Sequence, residues 1–303
     1  MSAMDERTVG YLVTFSTPTG FWLDGILYGD DRASTTVVHV HGSLGNCYRN
    51  RFLRVMGKRY GEAGIRLLSF NLSSHDGLAE GYRNKDEFEY CGGSVVEFDR
   101  CLDDIAGAVA FAEESCDRII LQGHSMGCDR VLHYLLSRGG GYDCILLGPC
   151  DSYQLQKKWI GPESVEEQTE RLKREALGTG ELDWLPSREY GIRSGDEDYI
   201  IPITRRALLS IMEGPVFRLL RIDHPMDFRL EERAFVYLGG DDALQPAGSE
   251  AMFRHLEERV SRVTRCFVSH GGHSLEGCEE IVTNEIIKWT KAEGRKQRHS
   301  YCP

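Results

Sequence analysis

The chain has 303 residues, with 36 Lys+Arg against 47 Asp+Glu, a formal net charge of −11, and 41% hydrophobic and 27% charged residues. This is enough apolar sequence for a large core, which excludes a disordered polymer and a fibrous repeat, and the acidic balance excludes a nucleic-acid partner held by phosphate contacts. The start, MSAMDERTVG, has no basic segment leading into an apolar run, and no stretch reaches the ~18 apolar residues of a membrane span, so a cytoplasmic protein without a membrane partner is expected.

Residues 8–16 and 21–29 predict two strands joined by Thr17-Pro18-Thr19-Gly20, an antiparallel hairpin. A buried strand at 37–41 follows, then a helix at 50–61 with Phe52, Leu53, Val55, Met56 and Tyr60 at helical spacing, and a strand at 65–70. The stretch from Ser73 to Gly93, with His75, Asp76, Glu87, Glu89 and Tyr90, follows a strand end from which it can contact substrate, but reads first as a solvated loop. Helix 95–115, strand 118–122, helix 126–137 and strand 144–147 come next. Such alternation requires crossovers, hence an α/β fold: a mainly parallel eight-stranded sheet with an N-terminal antiparallel hairpin and helices on both faces. The pattern stops at Gly148-Pro149 and resumes with a strand at 234–238, a helix at 247–260, a strand at 265–268 and a terminal helix at 277–291. The expected organisation is therefore a core of residues 1–151 and 230–303, interrupted by a helical cap at 152–229 with helical stretches near 163–176 and 202–213.

The chemistry is expected at the strand ends. Gly123-His124-Ser125-Met126-Gly127 is a G-x-S-x-G between a strand and a helix, the context of a nucleophile elbow, where side chains on the flanking glycines would collide with neighbouring elements. A serine needs a base that is itself oriented by a third group. His273, in His270-Gly271-Gly272-His273-Ser274, is the expected base, with His270 a packed or hydrogen-bonded neighbour. Asp242, in Gly239-Gly240-Asp241-Asp242, is the expected acid, with Asp241 and Asp151 as rivals. The loop His41-Gly42-Ser43-Leu44-Gly45-Asn46 is expected to supply the Ser43 amide, with Leu44 in reserve, to an oxyanion hole completed by the Met126 amide. His41, His124, Trp159 and Trp184 are candidate substrate contacts. His41 can also brace its loop by a hydrogen bond, and Trp159, Trp184, Tyr190 and Tyr199 can equally form a small core of the cap.

His39-x-His41 and His270-x-x-His273 lack further ligands, so no metal is expected, and no phosphate-binding glycine loop opens a helix after a strand, so no cofactor is expected either. Ten cysteines lie scattered without a C-x-x-C and are expected as free thiols, Cys128 and Cys150 among them as packing residues.

In HGSLGN, GHSMG, GGDDALQP and HGGHS, over roughly residues 10–150 and 233–292, the chain resembles the α/β-hydrolase superfamily of serine esterase type. The stretch from His39 to Gly77 is also similar to a branch known partly through fungal esterases that open fusarinine-type siderophores. The resemblance implies a hydrolase fold and the chain order Ser125, Asp242, His273 for a catalytic triad. The expected function is ester hydrolysis of a small-molecule substrate through an acyl-enzyme. An acyltransferase, cyclase or thioesterase using the same acyl-enzyme is the first alternative, and a non-catalytic ligand receptor the second. The oligomeric state stays open, a homodimer included.

Overall fold

The computed structural model describes residues 8–84, 86–139, 141–159, 163–175, 183–185, 192–193 and 200–292. In chain order its elements are β1 (Tyr11–Ser16), β2 (Trp22–Tyr28), β3 (Thr35–Val40), α1 (Arg51–Glu62), β4 (Arg66–Phe70), β5 (Ala79–Arg83) and β6 (Glu87–Cys91). After a 3-10 turn at Phe98–Arg100 come α2 (Cys101–Glu113), β7 (Arg118–His124), α3 (Met126–Arg138) and β8 (Asp143–Leu147). The chain continues through α4 (Ser152–Trp159), α5 (Val165–Glu175), β9 (Ile192–Arg193), β10 (Ile200–Ile201), α6 (Arg205–Met212) and α7 (Val216–Leu219). It closes with β11 (Leu230–Gly239), α8 (Ser249–Glu257), β12 (Val260–Val268) and α9 (Glu279–Ala292).

Eight strands form one sheet in the order β1-β2-β4-β3-β7-β8-β11-β12. β1 and β2 pair antiparallel, β2 meets β4 antiparallel, and every pair from β4 onward is parallel, as the alternation of strands and helices requires. The central strands are apolar on both faces because both are covered. Val37, Leu67, Ile120, Ile145, Phe235 and Tyr237 point to one side, onto Phe52, Met56 and Tyr60 of α1 and Val282, Ile286 and Trp289 of α9. Val38, Leu68, Leu121, Leu146 and Val236 point to the other, into a core shared with α2, α3 and α8. Tyr153, Val165, Leu172, Leu208, Met212, Phe217 and Leu219, from the chain between β8 and β11, join this second core. Their apolar faces are thus continuous with the sheet's own core.

Two expectations change. The stretch read as a solvated loop after β4 contains the antiparallel hairpin β5–β6, in which Tyr82 stands opposite Phe88. Its aromatic residues Tyr82, Phe88 and Tyr90 are exposed, whereas Glu89 turns inward to pair with Arg83 and Arg100. This inverted pattern hides the strand from a reading that places apolar side chains inside. β12 is also longer than its apolar end suggests, because as an edge strand it leaves Arg262, Thr264 and Arg265 to water. Nine described cysteines are free, all buried except Cys116, and Cys302 lies outside the described residues. Among the described residues no helix is long and apolar enough to cross a membrane.

Candidate active site

β7 ends at His124 and α3 begins at Met126, so the chain turns from strand to helix on a single residue, Ser125. It does so at φ 56° and ψ −129°, a left-handed backbone that a residue with a side chain adopts only under strain. The Ser125 N–H donates to the Leu147 carbonyl at 2.9 Å, and its own carbonyl accepts from the Cys128 N–H at 2.8 Å. The two flanking glycines make the turn sterically feasible. A Cβ on Gly123 would stand 2.3 Å from the Gly127 carbonyl oxygen, and one on Gly127 would stand 2.2 Å from the Val40 carbonyl oxygen. Because both obstacles are backbone, Gly127→Ala should cost about 2–3 kcal/mol, the upper part of the overpacking range. A clear fall in the urea midpoint is the expected measurement, and an unchanged midpoint would contradict this steric account.

The loops after β11 and β12 meet beside this elbow. The Asp241 N–H donates to the Gly271 carbonyl at 3.1 Å, and the Gly240 N–H donates to the Val268 carbonyl at 2.9 Å, which ties one loop to the other. Across them, His273 Nδ1–H donates to Asp242 Oδ2 at 2.9 Å, and the Asp242 side chain is fully buried. An ionised carboxylate only accepts, so this bond selects the tautomer with the proton on Nδ1 and leaves Nε2 as the basic nitrogen. Burial would raise the Asp242 pKa, but His273, the Leu244 N–H at 2.8 Å and the Gln245 side-chain amide at 3.3 Å together hold it below the usual carboxylate range. The imidazole of His273 packs with its ring centroid 5.1 Å from that of His124, whose Nε2–H donates to the His273 carbonyl at 3.1 Å. His273 Nε2 is buried with no hydrogen-bond partner among the described residues, so the Ser125 hydroxyl is not bonded to it here. Such a bond commonly forms or shortens only when substrate is bound.

The turn after β3 abuts the elbow from the other side: a Cβ on Gly42 would stand 2.8 Å from Ser125 Cβ. Ser43 and Leu44 follow directly, Leu44 at φ 53°. The Met126 amide belongs to the first turn of α3, where a helix has no internal acceptor and carries partial positive charge. These backbone groups are suited to meet negative charge that develops on a carbonyl oxygen next to Ser125.

The other sequence candidates are distributed differently. His41 is not a substrate contact: it is fully buried, donates from Nδ1 to the Gly42 carbonyl at 2.9 Å and accepts the Leu72 N–H on Nε2 at 3.1 Å. Nor is His124, which is buried and spends Nε2 on the His273 backbone. Trp184 is 40% exposed and pairs through its backbone with Thr204, not with the serine elbow. Trp159 ends α4, and its side chain, like Tyr190 and Tyr199, lies outside the described residues. Asp151 is buried and accepts the Gln154 and Ile222 N–H groups, capping α4 instead of meeting an imidazole. Asp241 and His270 are exposed, so the expectation of a packed His270 does not hold. Cys128 and Cys150 are buried, and burial pushes both thiols up, away from the thiolate. Among the described residues no group of three or more His, Cys, Asp or Glu side chains is arranged to hold a metal ion.

Sequence reasoning passed over two supporting residues. Tyr237 on β11 donates its hydroxyl to the Gly272 carbonyl at 2.9 Å, and Gln245 ties the Pro149 carbonyl to the Asp242 carboxylate. Gln245 was visible as a polar residue three after Asp242, whereas Tyr237 reads only as a strand residue.

No protein-family model matches the chain, and no curated protein matches it by sequence. Solved structures do resemble it. The ferulic acid complex of Est1E from Butyrivibrio proteoclasticus aligns with a TM-score of 0.60 at 14% identity, over 92% of this chain and 98% of that one. The α/β hydrolase GrgF from Penicillium sp. sh18 aligns with a TM-score of 0.64 at 14% identity, over 93% and 98%. The chain has the α/β-hydrolase fold. The esterase Pf2001 from Pyrococcus furiosus is similar as well, with a TM-score of 0.58 at 14% identity over 96% of this chain and 95% of that one. In an α/β-hydrolase fold, the ends of β7, β11 and β12 form the edge on which Ser125, Asp242 and His273 lie.

Proposed function

We propose that the protein is a serine hydrolase that cleaves an ester or related acyl bond of a small molecule. The observation that carries this reading is the 2.9 Å bond between Asp242 and His273 beside an elbow serine. In this mechanism the Ser125 hydroxyl attacks the carbonyl carbon while His273 Nε2 takes its proton. Asp242 holds the imidazole in the Nδ1–H tautomer and stabilises the imidazolium. The amides of Ser43 and Met126, with Leu44 beside them, receive the oxyanion, and His273 then returns the proton to the departing alcohol. Water, deprotonated by the same nitrogen, attacks the acyl-Ser125 carbonyl, and His273 passes that proton to Ser125 Oγ as the Oγ–acyl bond breaks and the acid leaves. In this reading the segment between β8 and β11 serves as the cap that shapes the acyl site.

A fluorophosphonate probe tests the proposal together with a panel of p-nitrophenyl esters of rising chain length and a feruloyl ester, chosen because Est1E binds ferulic acid. The expected result is one adduct, mapped to Ser125 by peptide mass, and turnover of at least one ester. A wild-type protein that forms no adduct and hydrolyses none of the panel would overturn the reading.

A further inference from the structure

Arg130 lies on α3, one turn beyond the elbow, and its guanidinium is buried. Nη1 donates to the His41 carbonyl at 2.8 Å and to the Gly42 carbonyl at 3.2 Å, and Nη2 donates to Ser74 Oγ at 3.1 Å. The buried carboxyls of Asp104 and Asp129 favour its charge from a distance, but its hydrogen bonds all go to neutral groups. A buried cation that spends its hydrogen bonds on two backbone carbonyls and a hydroxyl, with Nε left unpartnered, is costly to desolvate. Simple packing therefore does not account for an arginine at this place.

Its partners do. The Gly42 carbonyl accepts three donors at once: Arg130 Nη1, the His41 Nδ1–H at 2.9 Å and the Gly45 N–H at 3.2 Å. The Gly42–Ser43 peptide is trans, so the carbonyl of Gly42 and the N–H of Ser43 point in opposite directions within one rigid plane. Fixing that carbonyl on the buried guanidinium turns the Ser43 N–H away from it. The cation also polarises the peptide unit, making the N–H end more positive. We infer that Arg130 is a positioning residue that sets and polarises the Gly42–Ser43 peptide as an oxyanion donor, acting through the backbone without touching substrate. This rests on the hydrolase reading above.

The experiment compares wild type, Arg130→Met and Arg130→Lys on a p-nitrophenyl ester, with an alkyl trifluoromethyl ketone, whose serine adduct carries an oxyanion, as inhibitor. Arg130→Met should lower kcat by about 10–100-fold, less than the full loss of an oxyanion donor, because the amide itself remains. KM should stay within about twofold, the inhibition constant should rise in step with the fall in kcat, and Tm should fall by a few degrees, since the His41 carbonyl and Ser74 lose a buried donor. Arg130→Lys should recover part of kcat, since an ammonium can reach the same carbonyls. Unchanged kcat and inhibition constant in Arg130→Met would overturn the inference while leaving the hydrolase reading standing. So would losses of kcat, KM and Tm together with no recovery in the lysine variant, which would mark a purely structural role. If the methionine variant does not fold, the lysine variant decides: lowered kcat with weakened ketone binding at a retained Tm supports the role, and wild-type values overturn it. A wild-type protein without fluorophosphonate labelling or ester turnover would remove both proposals.

Discussion

Ser125→Ala should lower kcat for ester hydrolysis by about four to six orders of magnitude and abolish the fluorophosphonate adduct, while Tm shifts by no more than a few degrees. The loss is large because the hydroxyl acts by bond formation, which no neighbour supplies: Cys128 and Cys150 are buried, with thiols held far from ionisation. The residual rate comes from the backbone amides and binding alone. Stability should change little because alanine keeps the same left-handed turn at φ 56°. Ser125→Gly separates the two effects further. It should be as inactive as the alanine variant yet gain stability, since a non-glycine residue held in such a conformation costs about 1–3 kcal/mol. Steady-state kinetics and thermal unfolding of the two variants check this, and an alanine variant with turnover within tenfold of wild type would remove Ser125 from the chemistry.

Asp242→Asn should lower kcat by about 10⁴-fold. The asparagine oxygen can still accept the Leu244 N–H, so the loop keeps its shape, but its NH₂ group then faces His273 Nδ1. That geometry favours the tautomer protonated on Nε2, and a protonated Nε2 cannot take the serine proton. The pH dependence follows from the direction of the Asp242 shift. Its carboxyl titrates lower in the native protein than in the unfolded chain, so the native state binds fewer protons over that interval and stability rises with pH through it. The stability that Asp242 contributes is therefore fully present above the unfolded carboxylate value, near 3.9, and is lost as pH falls through the lower native value. The stability gap between wild type and Asp242→Asn should be constant around neutrality and shrink below about pH 4. Urea unfolding of both proteins at pH 3, 4, 5 and 7 measures it, and a gap that widens on acidification would reverse the assigned sign. Because Asp242 is ionised throughout the neutral range, it should add no limb of its own to the pH–activity profile there.

Much of the edge that carries these groups was legible in the chain because its determinants are local. Gly123 and Gly127 are required by atoms a few residues away or on the adjoining strand, and the apolar runs of the central strands report burial on both faces wherever they pair. The hairpin β5–β6 was not legible, since its aromatic residues face water while Glu89 is partly covered in pairs with Arg83 and Arg100, against the rule by which strands are read. Two of the candidate substrate contacts, His41 and His124, failed for a related reason. His41 and His124 occupy the motifs that line a hydrolase site, yet a residue's place in a motif does not say which way its ring turns, and both rings turn inward to hold backbone.

The sequence by itself determined the alternation of strands and helices, the one-residue turn at Ser125 and the short list of acids and bases at strand ends, because backbone propensity and steric exclusion act over a few residues. Only the tertiary structure decided that Asp242 meets His273 while Asp151 caps a helix, and that Arg130 reaches back to the turn at Gly42. Those pairings join segments distant along the chain, and their geometry is set by how the sheet stacks its loops at one edge, a property of the packed whole.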